Sequence, residues 1–310
     1  MMDRLVSLGV DYKRANPWQA TQIRYANNRE EECSIAGTDL QCSELKKDWI
    51  TDMENIAVTI NDKGIALLEM NRPETLNALN LPLMAEMIAE LDSLAADDKV
   101  RALILTGTGR GFCAGADLSM VLANAADSRS PGELVAETMQ QYFNPLAQRL
   151  YDFPKPVVTA VNGIAAGGGA ALALCADIVL ASDKAALKFV QVPQLGIVAD
   201  LGANWLLPRI AGRTRALGAC LFGETLSAET LKEWGMVWQC VDEERLMPRA
   251  WELADKLAAL PPETVMATRR LIDNASLDTF QGMLEAERQC QQSVCDLSVF
   301  SDSVKRFLSK

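Results

Sequence analysis

The chain has 310 residues and 49% of them are hydrophobic, which suffices for one large core or for one core with a small appendage. Its formal net charge of −11 argues against nucleic acid and anionic membranes as partners, and simple solubility explains the charge better. The absence of histidine excludes Ser-His-Asp and Cys-His chemistry and His-based metal sites, so acid–base work must fall on Asp, Glu, Lys, Tyr, Cys or water.

Cysteine usage and hydropathy indicate a compartment. The eight cysteines form no CxxC pair, and three of them, Cys113, Cys175 and Cys220, lie in apolar segments. We expect buried free thiols in a reducing compartment, with disulfides or metal ligation as the alternative. No apolar run reaches the about 18 residues of a membrane helix, and the first residues lack the features of a secretory signal. We therefore predict a cytoplasmic protein without a metal site.

The first part of the chain differs in character from the rest. Residues 1–52 are polar and show no sustained period, and we expect an N-terminal extension that is flexible or is translated upstream of the true start. Two β-rich runs, residues 54–60 and 65–70, then flank a turn that ends in Gly64, which predicts a β-hairpin. We therefore place the start of the functional domain near Met53.

Helix and strand patterns alternate after the hairpin. Residues 81–95 predict an amphipathic helix with leucine and methionine on one face. Continuous apolar strands are predicted at residues 100–106 and 156–161, and each runs into a glycine-rich turn. A third strand pair is predicted at residues 178–182 and 186–190. A buried strand followed by a glycine-rich turn and a helix is typical of α/β proteins, so we predict the α/β class.

The C-terminal third is predicted to be helical. Ser227 has the position of an N-cap residue. Further helices are predicted over residues 244–260, 263–274 and 277–295, and Pro261 ends the first of these. Their apolar faces predict packing against the core, with a subunit interface as the alternative.

Two glycine-rich turns after buried strands are the first candidates for chemistry. One spans residues 111–118 (GFCAGADL) and the other residues 162–170 (NGIAAGGGA), where the glycines open a helical run. Helix N-termini offer unpaired N–H groups, and glycines let a ligand approach the backbone because no Cβ intervenes. The spacing matches neither GxGxxG nor a P-loop, so a nucleotide site is not indicated. Close helix packing is the alternative interpretation.

From residue 53 to residue 310 the chain resembles the enoyl-CoA hydratase/isomerase (crotonase) family. The resemblance rests on four motifs: residues 71–79 (NRPETLNAL), the turn at 111–118, residues 154–163 with the glycine triplet after them, and residues 227–237. It implies a crotonase-like spiral of ββα repeats with a C-terminal helical oligomerisation region. We accordingly predict a catalytic core at residues 53–240, a helical region at 241–310, and assembly as a homotrimer or a dimer of trimers.

The resemblance also implies the site. In this family two backbone N–H groups form an oxyanion hole for a thioester carbonyl, and they fall on Ala116 and Gly168. Removing a proton beside a thioester puts negative charge on the carbonyl oxygen, which preorganised N–H donors stabilise. Coenzyme A would enter as part of the substrate, and no metal or redox cofactor is expected. The acyl-CoA would contact a further set of residues: Leu76, Ala78, Ala114, Gly115, Asp117, Leu118, Gly167 and Val192.

The chain departs from the hydratases of this family at both catalytic glutamates, which would fall on Ala171 and Val192. Hydration needs groups that activate water and deliver a proton, so we predict that the chain is not a typical hydratase. Asp200 has apolar neighbours and is expected to have a raised pKa, which suits a base near neutral pH. The alternative is a solvated loop residue or a helix N-cap. Some family members, dienoyl-CoA isomerases and a dehalogenase among them, place a catalytic Asp here, which favours catalysis.

We therefore predict an acyl-CoA isomerase in which Asp200 shuttles a proton through an oxyanion-stabilised enolate. An isomerase subfamily of phenylacetate degradation is resembled by four segments: residues 143–146, 188–190, 195–197 with Asp200, and 205–213. This resemblance implies opening of a ring epoxide or a Δ3 to Δ2 double-bond shift. An aliphatic substrate of fatty acid metabolism stays open. Two other functions also stay open: a hydrolase or dehalogenase with Asp200 as nucleophile, and a noncatalytic acyl-CoA-binding homologue. The missing histidine counts against the former, since deacylation in the dehalogenase relies on one.

Overall fold

Two β-sheets organise the part of the chain that the structure, a computed structural model, describes, namely residues 54–119 and 129–309. The predicted extension at residues 1–52 lies outside this part. The larger sheet has the order β1-β2-β3-β5-β7-β10, with strands β1 (Ile56–Ile60), β2 (Ile65–Met70), β3 (Ala102–Gly107), β5 (Val157–Val161), β7 (Ile178–Ser182) and β10 (Gln239–Val241). The smaller sheet has the order β4-β6-β8-β9, with strands β4 (Gly111–Cys113), β6 (Ile164–Ala166), β8 (Ala186–Lys188) and β9 (Leu226–Ser227).

The predicted hairpin is confirmed. Strands β1 and β2 pair antiparallel with Ile60 opposite Ala66. The turn between them closes through Gly64 N–H, which donates to Asn61 O at 3.0 Å. Gly64 has a φ of +78°, and a Cβ there would overlap the carbonyl oxygen of Lys99. Both the backbone conformation and the lack of space therefore favour glycine at this position.

After the hairpin, the successive strand pairs β3/β4, β5/β6 and β7/β8 each supply one strand to each sheet. Strands β2, β3, β5, β7 and β10 are parallel neighbours in the larger sheet, while β4, β6 and β8 are parallel neighbours in the smaller one. Strands β7 and β8 were predicted as a pair, but they belong to different sheets, because the short turn between them carries the chain across. The result is the predicted α/β fold, in which the chain alternates between the two sheets from β3 to β8.

Helices cover and connect the strands. They are α1 (Leu81–Ala96), α2 (Pro131–Thr138), α3 (Asn144–Tyr151), α4 (Gly168–Ala173), α5 (Ala203–Ala211), α6 (Arg213–Phe222), α7 (Ala228–Glu233), α8 (Glu243–Ala258), α9 (Pro262–Asn274), α10 (Phe280–Cys295) and α11 (Ser298–Leu308). The predicted N-cap is confirmed, since Ser227 Oγ accepts a hydrogen bond from Thr230 N–H at 3.3 Å. Among the described residues, no helix combines the length and the hydropathy of a membrane span.

The C-terminal helices differ in how they pack. Helix α8 presents Leu246, Ala250 and Ala254 to a cluster that contains Ile104, Val158 and Leu180 of the central strands. It is therefore part of the core, as its amphipathic pattern predicted. Helices α10 and α11 bury no residue, and apolar side chains such as Phe280 and Phe307 stay largely exposed. Oligomerisation through these helices stays a prediction.

Candidate active site

The two glycine-rich turns are pressed against each other. A Cβ on Gly169, in helix α4, would overlap the carbonyl oxygen of Cys113 at the end of strand β4. Gly115 has a φ of +89°, and a Cβ there would lie 2.6 Å from Ala166 O and 3.3 Å from Gly168 N. The glycines are therefore needed for two backbones to approach to contact distance, and the approach brings residues 115–116 next to Gly168.

Two backbone N–H groups are left unpaired where the turns meet. Leu79 forms a parallel bridge with Ala116 by donating to Gly115 O at 2.7 Å and accepting from Asp117 N–H at 3.0 Å. In a parallel ladder this pattern directs the N–H of Ala116 away from Leu79. Gly168 is the first residue of α4, so its N–H has no partner within the helix. Neither N–H donates a backbone hydrogen bond to another described residue.

Asn77 fixes the loop that leads to this bridge. Its side chain is fully buried, and its Nδ2 donates to Thr108 O at 3.0 Å and to Gly111 O at 2.9 Å. Its Oδ1 accepts from Arg72 N–H at 2.8 Å. Asn77 has a φ of 57°, a conformation that Asn tolerates better than most side chains. These three hydrogen bonds explain why asparagine occupies position 77, the second asparagine of the NRPETLNAL motif.

The predicted acyl-CoA contacts around the first turn lie together. Ala114 N–H donates to Leu76 O at 2.9 Å, and Arg72 donates to both Ala78 O and the Asp117 carboxylate. Hydrogen bonds from Ser119, and then from Arg72, lower the pKa of Asp117 against the effect of its burial. Asp117 is therefore an ionised structural partner of Arg72. Leu118, at the end of the turn, is 50% exposed.

Asp200 lies beside Gly168. A Cβ on Gly168 would lie 3.3 Å from Asp200 Oδ1. The carboxylate is partly buried between Ala199 and Leu201, which are both buried. Burial raises the pKa of Asp200 above its ordinary value, and a hydrogen bond from Gln191 opposes part of that rise. A carboxyl group with these properties can accept and return a proton close to the unpaired N–H of Gly168.

The alternative role of Asp200 as a helix N-cap does not fit the geometry. Helix α5 begins at Ala203 with Gly202 as its N-cap residue, and Gly202 has no side chain to cap with. Asp200 contributes only its backbone carbonyl, which accepts from Ala203 N–H at 3.0 Å. Its side chain is therefore available for another purpose.

Two residues that support Asp200 were missed in the sequence. Gln191 Nε2 donates to Asp200 Oδ1 at 3.1 Å, and Asn204 Nδ2 donates to Ala199 O at 2.6 Å. Gln191 opens a π-helical turn, Gln191–Leu195, an element that occurs often at functional sites. The available signal was a glutamine directly after the apolar pair Phe189-Val190, a position where a buried polar side chain needs a partner.

The remaining predicted residues lie on the Asp200 side of the site. A Cβ on Gly167 would lie 3.6 Å from Val190 Cγ2 and 3.7 Å from Gln191 Nε2. Val192 follows Gln191 in the π-helical turn, and its carbonyl accepts from Gly196 N–H at 3.2 Å. Ala171 is completely buried in α4. Neither of these two positions provides a carboxylate.

The thiols and carboxylates of the described residues are the side chains from which a metal centre could be built. Within residues 54–119 and 129–309, no group of three or more Cys, Asp or Glu side chains is arranged to hold a metal ion. Of the six cysteines of this part, Cys113 and Cys175 are buried, as predicted, whereas the other four are half-buried, namely Cys220, Cys240, Cys290 and Cys295. Cys33 and Cys42 lie outside this part. Burial raises the pKa of both Cys113 and Cys175 to about 12, so these thiols stay protonated at neutral pH.

Comparison with known proteins gives consistent matches. Residues 61–310 match the model of the enoyl-CoA hydratase/isomerase family. A 1,2-epoxyphenylacetyl-CoA isomerase of Escherichia coli K12 is 43% identical over 250 residues, which cover 80% of this chain and 94% of that protein. A 4-chlorobenzoyl coenzyme A dehalogenase of Arthrobacter sp. is 32% identical over 248 residues, 80% of this chain and 88% of that protein. The crystal structure of an enoyl-CoA hydratase of Bacillus anthracis superposes with a TM-score of 0.75 at 30% identity, covering 82% of this chain and 96% of that one.

Proposed function

The chain belongs to the enoyl-CoA hydratase/isomerase family, and we propose that within this family it is an isomerase of acyl-CoA thioesters rather than a hydratase. The observation that carries the proposal is the position of the Asp200 carboxylate beside Gly168, where the two glycine-rich turns meet: Oδ1 lies 3.3 Å from the place that a Cβ on Gly168 would take. This places a proton acceptor of raised pKa beside an unpaired backbone N–H. Those are the two functions that enolate chemistry requires.

In the proposed mechanism the thioester carbonyl oxygen docks on the N–H groups of Ala116 and Gly168. Deprotonation next to the thioester moves negative charge onto that oxygen. Each backbone donor of such a site lowers the barrier by roughly 3 kcal/mol, by analogy with measured oxyanion holes. Both donors are fixed before the substrate arrives, because Gly115, Gly169 and the Leu79 bridge hold the two turns in place.

Asp200 then moves the proton. Its carboxylate takes a proton from C2 of a 3-enoyl thioester, the enolate forms, and the protonated carboxyl returns the proton at C4. The double bond thereby moves from Δ3 to Δ2, and no atom is gained or lost. A single carboxyl group suffices because it acts first as the base and then as the acid.

Two positions argue against hydration. Ala171 and Val192 stand where the hydratase glutamates are expected, and neither side chain can activate water or donate a proton. Ala171 is moreover completely buried, so a carboxylate introduced there would have to displace its neighbours.

The similarity to a 1,2-epoxyphenylacetyl-CoA isomerase supports a ring-epoxide substrate as well. In both reactions charge that develops in the acyl group is delocalised onto the thioester oxygen. We propose that an aromatic-derived ring epoxide and an aliphatic 3-enoyl chain are the two substrate types to compare. A turnover screen with ring-epoxide-CoA, 3-enoyl-CoA and 2-enoyl-CoA thioesters separates them, and fast hydration of the 2-enoyl substrate would contradict the isomerase proposal.

A second candidate makes Asp200 a nucleophile, and the similarity to a 4-chlorobenzoyl coenzyme A dehalogenase favours it. Attack by the carboxylate on the halogen-bearing ring carbon would expel halide and leave an aryl ester on Asp200 that water must cleave. The chain has no histidine to activate that water. Mass spectrometry of the enzyme after mixing with a halogenated aryl-CoA decides the matter, since a stable acyl or aryl adduct on Asp200 would favour the nucleophile.

The decisive experiment on the proposed function is the Asp200→Asn variant. The amide keeps the size and the hydrogen bond to Gln191 but cannot accept a proton, so isomerisation of a 3-enoyl-CoA should fall by about a thousandfold or more. Asp62→Asn, in the exposed hairpin turn, is the matched control and should keep full activity. Wild-type rates in Asp200→Asn would refute the role of Asp200. If the wild type instead binds acyl-CoA tightly but turns over none of the substrates, the chain is a noncatalytic acyl-CoA binder.

Assembly and compartment complete the proposal. The exposed apolar side chains of helices α10 and α11 suit a trimer or a pair of trimers, and six free thiols suit a reducing cytoplasm. Sedimentation of the purified protein tests the assembly directly.

A further inference from the structure

Gln191 is a buried amide with one specific partner. Its side chain is only 3% exposed, and its Nε2 donates to Asp200 Oδ1 at 3.1 Å. Within the described residues no other side chain donates to Asp200, whose second donor is its own backbone N–H. The contact spans nine positions of the chain, so it depends on the π-helical turn and not on local sequence.

The surroundings of Gln191 indicate that the amide is kept for its N–H donor. The two residues before Gln191, Phe189 and Val190, are both apolar, and Phe189 is buried. On the other side the Nε2 atom faces Gly167, where a Cβ would lie 3.7 Å away. The Oε1 atom of Gln191 has no hydrogen-bond partner in the described part of the protein. An apolar side chain of similar length would avoid this unpaired acceptor, so packing alone does not explain a glutamine here.

We propose that Gln191 is the positioning residue of Asp200 and that it determines which carboxylate oxygen carries the proton. The inference rests on the proposed role of Asp200 as a proton shuttle. Because Oδ1 is occupied by the amide donor, the proton taken from the substrate is held on Oδ2. The same oxygen therefore takes the proton from one carbon and returns it to the other, without rotation of the carboxyl group.

The same hydrogen bond keeps Asp200 available as a base. An N–H donor stabilises the carboxylate more than the neutral acid, and so it opposes the effect of the apolar surroundings. Without Gln191 the carboxylate would be desolvated and held by its own backbone N–H alone. The acid limb of the pH profile, meaning the fall of kcat/KM toward low pH, would then move to higher pH. At neutral pH a smaller fraction of the enzyme would have Asp200 as the carboxylate.

The test is the pH dependence of kcat/KM with a 3-enoyl-CoA substrate, because this profile reports the pKa of the free enzyme's base. Gln191→Met keeps the length of the side chain and removes the donor. We expect its acid limb to lie about one pH unit above that of the wild type, with a roughly tenfold loss of kcat/KM on that limb. Gln194→Met, an exposed position in the same turn, is the matched control and should leave the limb in place.

A second variant guards against a fold defect in the first. Gln191→Glu keeps the shape of the amide but places a second carboxyl group against Asp200, and the acid limb should move up by more than one unit. If both variants fold, as judged by thermal melting, and lose activity by one factor at every pH with the limb unmoved, Gln191 has a structural role only and the inference is wrong. Wild-type activity of Asp200→Asn would instead contradict the proposed function itself. Failure of the Gln191 inference and failure of the proposed function therefore give different results.

Discussion

Leu201 covers Gly168. The Cδ1 atom of Leu201 occupies the space that a Cβ on Gly168 would need, and Leu201 itself is buried. Leu201 also has a φ of 46°, which is uncommon for a residue other than glycine. Backbone strain next to Asp200 is thus combined with a side chain that packs directly on the proposed oxyanion donor.

The first prediction concerns this pair. Gly168→Ala keeps the backbone N–H but forces the methyl group against Leu201 and to within 3.3 Å of Asp200 Oδ1. We expect kcat to fall about tenfold, since overpacking of this kind costs roughly 1–3 kcal/mol. The double variant Gly168→Ala with Leu201→Ala should recover part of the loss, and steady-state kinetics on the three variants measure the coupling. Strict additivity of the two changes would contradict a direct contact.

The second prediction concerns pH and stability at Asp200. Burial raises the pKa of this carboxyl in the folded state, so the charged form is disfavoured by folding. The resulting penalty is absent below the pKa of the unfolded chain and is fully present above the raised pKa of the folded one. Asp200→Asn should therefore unfold at higher denaturant concentration than the wild type at neutral pH, with a gain of roughly 1 kcal/mol. The gain should vanish near pH 3.5.

Urea unfolding at the two pH values checks this prediction. An equal gain at both would assign the effect to packing rather than to ionisation. Activity should follow the opposite course. The wild-type rate should fall as the pH drops through the raised pKa of Asp200, and the residual rate of Asp200→Asn should show no such limb.

The third prediction concerns Asn204, whose Nδ2 holds the carbonyl of Ala199 at 2.6 Å. Asn204→Ala releases the residue that precedes Asp200, so we expect kcat to fall about tenfold with little change in KM. Loss of one hydrogen bond should lower the free energy of unfolding by only about 1 kcal/mol. Asn204→Asp, which keeps the shape without the donor, should resemble the alanine variant in kcat. A loss confined to KM would contradict a positioning role.

The fourth prediction concerns Asn77. Asn77→Ala leaves the carbonyls of Thr108 and Gly111 and the N–H of Arg72 without their present partner, and it puts a Cβ-only side chain at positive φ. We expect a loss of about 3 kcal/mol in the free energy of unfolding. Asn274→Ala removes a single hydrogen bond on the exposed helix α9 and should change stability by less than about 0.5 kcal/mol. Chemical denaturation of both variants makes the comparison.

Secondary-structure elements that depend on neighbouring residues in the chain were predicted correctly. The hairpin at residues 54–70 and helix α1 follow from period and turn chemistry alone. The sequence could not assign strands β7 and β8 to separate sheets, because alternation of buried residues indicates a strand without indicating its neighbour. The glycines of the two turns were predicted to let a ligand approach the backbone, with close packing as the alternative. The structure shows close packing at Gly115 and Gly169, which meet backbone atoms, while the neighbours of Gly168 are the side chains of Leu201 and Asp200.

The side of the site opposite the glycines was harder to predict. Asp200 was predicted to be the base from its apolar neighbours and the family resemblance, and the structure places its carboxylate beside Gly168. Gln191 and Asn204 were missed, because each meets its partner through a turn whose geometry no short pattern encodes. A π-helical turn shifts the register of the side chains after it, so distances counted along the chain mislead there.

The crossing of the chain from one sheet to the other between β3 and β8 has a consequence for how this scaffold diversifies. The groups proposed to stabilise the developing anion are the backbone N–H groups of Ala116 and Gly168. Their positions depend on hydrogen bonds and on glycines at the contact between the turns, and every residue type except proline has such an N–H group. The proposed proton carrier, in contrast, is one side chain on a separate loop, that of Asp200. On this proposal, reaction type can change through side chains around the two turns, such as those at positions 171, 192 and 200, while the backbone donors stay in place. That fits the isomerase, the hydratase and the dehalogenase to which the chain is similar.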